Sequence, residues 1–156
     1  MKKKAVVFIV SIIIALAVGG VSALLTMDSM ERFSELEQPP LSPPSWLFPI
    51  VWTILFILMG ISAARIYNIG GRGGNSSALT VYGIQLFVNF MWPVIFFRLE
   101  LRLAALFWLL LLLALVILMI VRFYRIDKTA AYLQIPYLIW LLFAAYLNTG
   151  VFILNG

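Results

Sequence analysis

Five long apolar runs divide the chain, and each is long enough to cross a lipid bilayer. A transmembrane helix needs roughly 20 mostly apolar residues. The runs cover residues 5–26, 46–67, 79–97, 101–121 and 131–154. Charged side chains fall near their ends, where long side chains can reach the interface. The pattern predicts an all-α membrane protein, a five-transmembrane-helix bundle forming a single domain over residues 1–156.

Composition supports a membrane protein and removes several kinds of chemistry. Hydrophobic residues make up 64% of the 156 residues and charged residues 11%, which leaves too little polar surface for a water-soluble domain. Cysteine and histidine are absent, so thiol chemistry, most zinc sites and the usual haem ligand are excluded. No pair of carboxylates suited to acid–base catalysis is evident. We therefore expect no catalytic residue, no metal site and no cofactor.

The charges alternate between the two sides of the predicted bundle. One side carries the basic residues Lys2, Lys3, Lys4, Arg65, Arg72, Arg122, Arg125 and Lys128. The opposite side carries fewer basic residues and, in the first loop, four acidic ones. The positive-inside rule then places the N-terminus in the cytoplasm. We expect a multi-pass protein of a prokaryotic cell membrane, and the net charge of +5 does not indicate a nucleic-acid partner.

Two segments outside the central spans need separate interpretation. Three lysines, an apolar run and the sequence Val21-Ser22-Ala23 also fit a signal peptide with a cleavage site. Against this, the apolar run is longer than the hydrophobic region of a usual signal peptide, so a first transmembrane helix is preferred. The glycine-rich segment 70–77 is expected to be a flexible cytoplasmic linker.

A proline-rich segment, PPLSPPSWLFPIVW, spans residues 39–52 and leads directly into the second apolar run. Proline lacks an N–H and restricts φ, so the four prolines of its first half predict a stiff, non-helical approach to that helix. Trp46 occupies the position of an interfacial tryptophan. Trp52 lies roughly 9 Å deeper. A stiff segment held against a helix that carries a deeper tryptophan indicates a structured site rather than a simple connecting loop.

Polar and aromatic residues share faces of three spans. Gln85, Asn89 and Trp92 follow helical spacing, and Pro93 leaves the Asn89 carbonyl without its helical partner. Two interpretations stay open: these amides join helices, or they contact a ligand. Aromatic and small residues continue the pattern in the second and fifth spans, at Phe48, Trp52, Phe56, Trp140 and Ala144. Trp108 has no polar residue near it in sequence and is expected to pack or to face lipid.

Small residues recur at four-residue spacing in the first two spans, at Ala15, Gly19 and Ala23 and at Gly60 and Ala64. This spacing favours close helix contact, either within one chain or between two chains.

Three motifs in order, PPLSPPSWLFPIVWTILFILMG, QLFVNFMWPVIFF and PYLIWLLFAAYLN, resemble the translocator protein family, also called tryptophan-rich sensory proteins. The resemblance implies a five-helix bundle, usually a homodimer, that binds porphyrin-like, sterol or benzodiazepine-like ligands beneath the first loop. Carried over by motif, the ligand-binding residues are Pro43, Pro44, Phe48, Trp52, Phe56, Gln85, Asn89, Trp92, Trp140 and Ala144.

This sequence departs from the family pattern in several places, including at Leu41 and after Tyr146. Leu41 stands where relatives often have an aromatic residue. The sterol-recognition pattern of animal members requires a basic residue after the tyrosine of the fifth span, and none follows Tyr146 here.

The leading functional hypothesis is a ligand-binding membrane protein with a sensory or regulatory role, whose partners are a planar porphyrin-like ligand and the lipid bilayer. A tryptophan-dependent porphyrin-degrading enzyme and a tetrapyrrole or sterol transporter are the alternatives. A transporter is ranked lower because no ionisable residue lies within a span and no repeated half is evident.

Overall fold

All regular secondary structure is helical in the computed structural model, which describes residues 2–74 and 76–155. The helices are α1 Lys2–Thr26, α2 Met30–Ser34, α3 Leu47–Gly74, α4 Ser76–Pro93, α5 Arg102–Ile126, α6 Lys128–Leu133 and α7 Ile135–Asn155. A 3₁₀ turn, Met27–Ser29, joins α1 to α2, and a π-helical turn, Val94–Arg98, follows α4. Five helical segments are long and apolar enough to cross a membrane. The predicted all-α membrane bundle is confirmed.

Two boundaries near the first and second loops differ from the prediction. Helical structure continues from α1 through the 3₁₀ turn and α2 to Ser34, so the irregular part of the first loop is residues 35–46. The expectation of a flexible linker over residues 70–77 is wrong for the described residues, because α3 continues to Gly74 and α4 begins at Ser76. A helix that has already nucleated gains a hydrogen bond with each added residue, which offsets part of the cost of glycine.

The fifth span is not one continuous helix over 131–154, as predicted, but the pair α6 and α7 with a break at Gln134. The cause is Pro136, which has no N–H to donate to the Tyr132 carbonyl and restricts the residue before it. The Gln134 N–H instead bonds the Ala131 carbonyl at 3.1 Å, which closes α6 with a tighter turn. The break lets α6 pack against α3 while α7 continues along the bundle.

The spanning helices form a closed ring in the order α1, α3, α6 with α7, α5, α4, and back to α1. One end of the ring, called the basic end, holds the N-terminus of α1 and the start of α4; the other, the loop end, holds the first loop. At the basic end the backbones of α3 and α6 are in contact. At the loop end α3 and α7 meet through aromatic side chains, with Trp52 and Trp140 ring centroids 6.5 Å apart. This divergence leaves room for a cavity.

The closest helix crossing joins α1 and α3, and glycine makes it possible. A Cβ placed on Gly60 would lie 2.6 Å from the Ile12 Cα, and one on Gly19 would lie 2.4 Å from the Phe56 ring. The carbonyl of Gly60 accepts a hydrogen bond from Ser11 Oγ at 2.7 Å. The small-residue spacing therefore serves packing within this chain, and α1 is an integral part of the bundle.

Large apolar side chains cover the outer surface of the ring, as a lipid-facing surface requires. Ile9, Ile54, Phe87, Phe107 and Ile139 are each more than half exposed. Such side chains would be unfavourable in water, but they match the hydrocarbon of a bilayer.

An ion pair at the basic end fixes the start of α6. Arg65 Nε lies 2.6 Å from Asp127 Oδ2, and the same carboxylate accepts the Ala130 N–H at 3.3 Å as an N-cap. The hydrogen bond from Arg65 is the main cause that holds the pKa of Asp127 below its usual value. The carboxylate is therefore ionised at neutral pH, and it links α3 to the α5–α6 junction.

Gly60→Ala is expected to destabilise the bundle by about 1–3 kcal/mol, because the added methyl group meets the α1 backbone rather than a flexible side chain. Gly20→Ala is the matched control, since no heavy atom lies within 4 Å of a Cβ at that position. Thermal unfolding in detergent, followed by tryptophan fluorescence, measures both. Equal stability of the two variants would contradict the close crossing.

Candidate ligand-binding site

A cavity of about 270 Å³ lies inside the loop end of the ring. Its wall comes from α1, the segment 27–33, α3, α4 with its π-helical turn, and α7. The lining is predominantly aromatic and aliphatic, with a small number of amides and hydroxyls. This is the composition of a site for a largely apolar small molecule that a few polar contacts orient.

Seven of the ten residues predicted to bind ligand line this cavity. They are Phe48, Trp52, Phe56, Asn89, Trp92, Trp140 and Ala144. The helical spacing in the sequence placed these residues on common faces, and the ring of helices turns those faces toward one another. The aromatic stripe of α3 is continuous, with Trp52 and Phe56 ring centroids 5.7 Å apart.

The other three predicted residues do not contact the cavity. Gln85 is fully buried behind it. Pro43 is partly buried and Pro44 exposed, both outside the lining, whereas Ser45 from the same loop does line it. Helical spacing alone placed Gln85 on the face of Asn89, but the Gln85 amide oxygen accepts a hydrogen bond from Tyr137, and neither residue lines the cavity.

The aromatic wall is built from near-perpendicular contacts. The Trp52 and Trp140 rings meet at 89°, and Phe48 meets Trp140 at 70° with centroids 5.8 Å apart. Edge-to-face geometry leaves aromatic faces available while the rings hold each other in place. The cavity wall is therefore a preformed aromatic surface.

Pro93 shapes the opposite wall. Because it has no N–H, the α-helical hydrogen bonds stop there and the chain continues as the π-helical turn Val94–Arg98, closed by the Leu99 N–H on the Val94 carbonyl at 2.9 Å. The wider turn brings both Phe96 and Phe97 into the lining. π-Helical turns of this kind occur frequently at functional sites.

A chain of buried hydrogen bonds fixes the orientation of the Asn89 amide. The Tyr137 hydroxyl donates to Gln85 Oε1 at 2.7 Å and accepts from Asn89 Nδ2 at 2.6 Å. Gln85 Nε2 faces the Met59 sulfur at 4.0 Å, which is a weak acceptor and no donor. That contact sets the donor-to-acceptor direction of these hydrogen bonds, because with the Gln85 nitrogen on Met59 the Gln85 oxygen must face Tyr137.

This orientation decides which polar atoms remain for a ligand. Among the described residues, no group donates to Asn89 Oδ1, and no acceptor faces the indole N–H of Trp52 or Trp140. Trp92 is different, because its indole N–H donates to Asn148 Oδ1 at 3.1 Å. Among the lining residues, Asn89 thus has an unengaged amide acceptor, and Trp52 and Trp140 have unengaged indole donors.

The contribution of the first span was not predicted. Gly19, Ser22, Ala23 and Thr26 of α1, together with Met27, Met30 and Phe33, form one side of the cavity. Ser22 Oγ donates to the Phe90 carbonyl at 3.0 Å and so holds α1 against α4. The four-residue spacing of small residues in α1 was the available signal, and it indicated a close contact without indicating a cavity.

Trp108 was expected to pack or to face lipid, and it is partly buried against the core of the bundle. It also has a polar partner, which was not expected. Its indole N–H donates to the Val88 carbonyl at 2.7 Å. That carbonyl immediately precedes Asn89 in α4, so the bond ties α5 to the cavity-lining part of α4. The partner is a backbone atom of another helix, which no side-chain pattern in the sequence reveals.

The first loop is tied to the loop end of α7. Asn155 accepts the Glu37 N–H at 3.1 Å and donates to the Glu37 carbonyl at 2.9 Å. The Tyr146 hydroxyl donates to the Pro40 carbonyl. Pro39 is buried against Gly150, where a Cβ would lie 2.5 Å from the proline ring. The first proline pair, rather than the second, therefore anchors the loop.

Leu41 lies at the exposed tip of this loop. It is 83% exposed and adopts φ 71°, in the left-handed region that non-glycine residues rarely occupy. Its side chain does not line the cavity.

Five membrane-spanning segments around an aromatic cavity, next to a tethered proline-rich loop, define a polytopic membrane protein with an internal, largely apolar cavity. The sequence profile of the TspO/MBR family matches residues 11–154. The chain belongs to the TspO/MBR family, and the predicted resemblance is confirmed.

Relatives from all three domains of life match over most of their length. The tryptophan-rich protein TspO of Chlorobaculum tepidum is 36% identical over 99% of both chains. A protein of the same name from Archaeoglobus fulgidus is 36% identical over 95% of this chain and 96% of its own. The translocator protein of Bos taurus is 33% identical over 78% of this chain and 73% of its own.

Tyr137→Phe is expected to destabilise the protein by about 1–3 kcal/mol, because it leaves Gln85 Oε1 and Asn89 Nδ2 without partners in a buried setting. Tyr124→Phe, at a hydroxyl on the exposed surface of α5, is the control. Thermal unfolding in detergent compares them. If both variants have the melting temperature of the wild type, the chain of hydrogen bonds does not stabilise the cavity wall.

Proposed function

We propose that the cavity binds a planar, largely apolar ligand of the porphyrin class, and that the protein is a membrane receptor for such a molecule. The observation that carries the proposal is the pairing of aromatic faces at Trp52 and Trp140 with an unengaged acceptor at Asn89. A tetrapyrrole offers a flat conjugated face for stacking. Its metal-free ring also carries both N–H donors and nitrogen acceptors.

The described residues support binding better than conventional catalysis. Within residues 2–74 and 76–155 no group of three or more metal-ligating side chains occurs. No carboxylate lines the cavity. The functional groups in place stack and form hydrogen bonds, and they suit reversible capture of an apolar molecule.

The loop end is the side from which the ligand would reach the cavity. Ser45 and Phe48 belong to the stretch that joins the first loop to α3, and both line the cavity. The lysines at the N-terminus of α1 lie at the opposite, basic end, which the positive-inside rule assigns to the cytoplasm. On this orientation the ligand arrives from the outer side of the membrane.

Trp52→Leu and Asn89→Leu are each expected to weaken protoporphyrin binding roughly tenfold, which corresponds to about 1.4 kcal/mol. The first variant removes a stacking face and an indole donor, and the second removes the amide acceptor. Titration of purified protein, followed by the porphyrin absorption band, gives the dissociation constants without depending on tryptophan emission.

Trp46→Leu is the matched control, because Trp46 is 65% exposed at the start of the second span and lies outside the lining. Its affinity should equal that of the wild type. Unchanged affinity in both cavity variants, with folding verified by circular dichroism, would overturn the assignment of this cavity.

A further inference from the structure

A second cavity, of about 380 Å³, lies toward the basic end between α1, α3 and α4. It shares no lining residue with the aromatic cavity. We call it the inner groove; Val10 and Ile14 of α1, Ala63 and Ala64 of α3 and Tyr82 of α4 are among its walls. The two alanines leave a gap between the longer side chains of the neighbouring helices.

The inner groove is open toward lipid. Val10 and Ile14 are about half exposed, 47% and 51%, on the outer face of α1. The groove is therefore continuous with the hydrocarbon that surrounds the bundle. An elongated apolar chain matches both its lining and its opening.

One groove-lining residue carries a polar group that is buried and has no hydrogen-bond partner among the described residues. Tyr82 is only 8% exposed, and its hydroxyl forms no hydrogen bond with any described residue. Its ring packs against Phe123, with centroids 6.3 Å apart. A buried hydroxyl left unpaired at membrane depth costs free energy, so a small turn of the Tyr82 side chain that brings the hydroxyl to an acceptor oxygen in the groove would be favourable.

The depth of Tyr82 suits the ester region of a phospholipid. The residue lies about 9 Å along the helix axis from Ser76, where α4 begins. Ester carbonyls of phospholipids occupy the interfacial layer between the headgroups and the hydrocarbon core, and they are hydrogen-bond acceptors. A chain lying in the groove would bring such a carbonyl to this depth.

Positive charge lies beside the groove at the same end. Lys2, Lys3 and Lys4 are exposed at the start of α1 and form no ion pair among the described residues. Asp127, the acidic residue of the basic end, is already paired with Arg65. Asn68 Nδ2 donates to the Lys4 carbonyl at 3.3 Å and holds this end of α1 against α3.

We propose that the inner groove is a binding site for one anionic phospholipid of the adjacent leaflet. Its acyl chain lies against Val10 and Ile14, an ester carbonyl accepts a hydrogen bond from Tyr82, and its phosphate lies among the lysines. Clustered lysines next to a spanning helix attract anionic headgroups, by about 1 kcal/mol for each charge.

The test compares dioleoyl phosphatidylglycerol with dioleoyl phosphatidylcholine, which have the same acyl chains. Native mass spectrometry of detergent-purified protein counts retained lipids, and thermal unfolding measures stabilisation. The wild type should retain one phosphatidylglycerol in preference to phosphatidylcholine and gain melting temperature from it. Equal retention of both lipids would overturn the proposal.

Two sets of variants separate the contacts. Tyr82→Phe should lower retention of both lipids several-fold, and the Lys2→Gln, Lys3→Gln, Lys4→Gln triple variant should abolish the preference for phosphatidylglycerol. Tyr124→Phe, and Arg125→Gln combined with Lys128→Gln, are controls with matched chemistry outside the groove. If Tyr82→Phe and the triple lysine variant retain each lipid to the same extent as their controls, the proposed site is wrong.

Lipid-free detergent supplies a readout that distinguishes a lipid site from a structural role. Because the Tyr82 hydroxyl has no partner in the described part of the chain, Tyr82→Phe should be at least as stable as the wild type without lipid, yet gain less from phosphatidylglycerol. Loss of stability without lipid would assign the hydroxyl to the fold. If the groove variants change the oligomeric mass of the protein without changing lipid retention, a second copy of the chain rather than a lipid covers the groove, and the proposal is wrong.

Discussion

The loop end of this bundle depends on one missing hydrogen-bond donor, the N–H that Pro93 does not have. In water the chain could satisfy the interrupted helix with solvent, but inside a membrane the protein must reorganise its own hydrogen bonds. The π-helical turn Val94–Arg98 is the result. It brings Phe96 and Phe97 into the cavity wall while Asn89, one turn earlier, presents its amide at the same site. Pro93 thus shapes the wall that carries Phe96 and Phe97, opposite the aromatic rings of α3 and α7.

Around that turn, buried polar groups engage one another and leave selected atoms free. Tyr137 connects Gln85 to Asn89, and Trp108 bonds the carbonyl of Val88. These contacts lie behind the cavity wall, where they orient the amide that faces the ligand. At the mouth, Asn155, Tyr146 and Gly150 hold the proline-rich loop against α7. The site is consequently preformed, which reduces the ordering cost of binding.

Much of the fold could be predicted from the sequence because hydropathy directly reports the length of membrane-spanning segments. Helical spacing also placed Trp52, Asn89 and Trp140 on cavity-lining faces. Helical spacing could not show that Asn89 lines the cavity while Gln85 is buried behind it, because that difference depends on how neighbouring helices pack. The contribution of α1 to the cavity was not predicted for a related reason: apolar residues occur both on helix faces that contact lipid and on faces that contact protein. The break at Gln134 was not predicted, although Pro136 caused it.

Substitution of Pro93 by alanine is the sharpest test of whether the missing N–H shapes the cavity, since it restores that donor without removing an aromatic contact. We predict that Pro93→Ala retains its helix content by circular dichroism but binds protoporphyrin at least tenfold more weakly. An ordinary helical turn would rotate Phe96 and Phe97 around the axis by up to about 100°. Pro44→Ala, in the exposed loop outside the cavity, should bind as the wild type does. Wild-type affinity in Pro93→Ala would contradict the account.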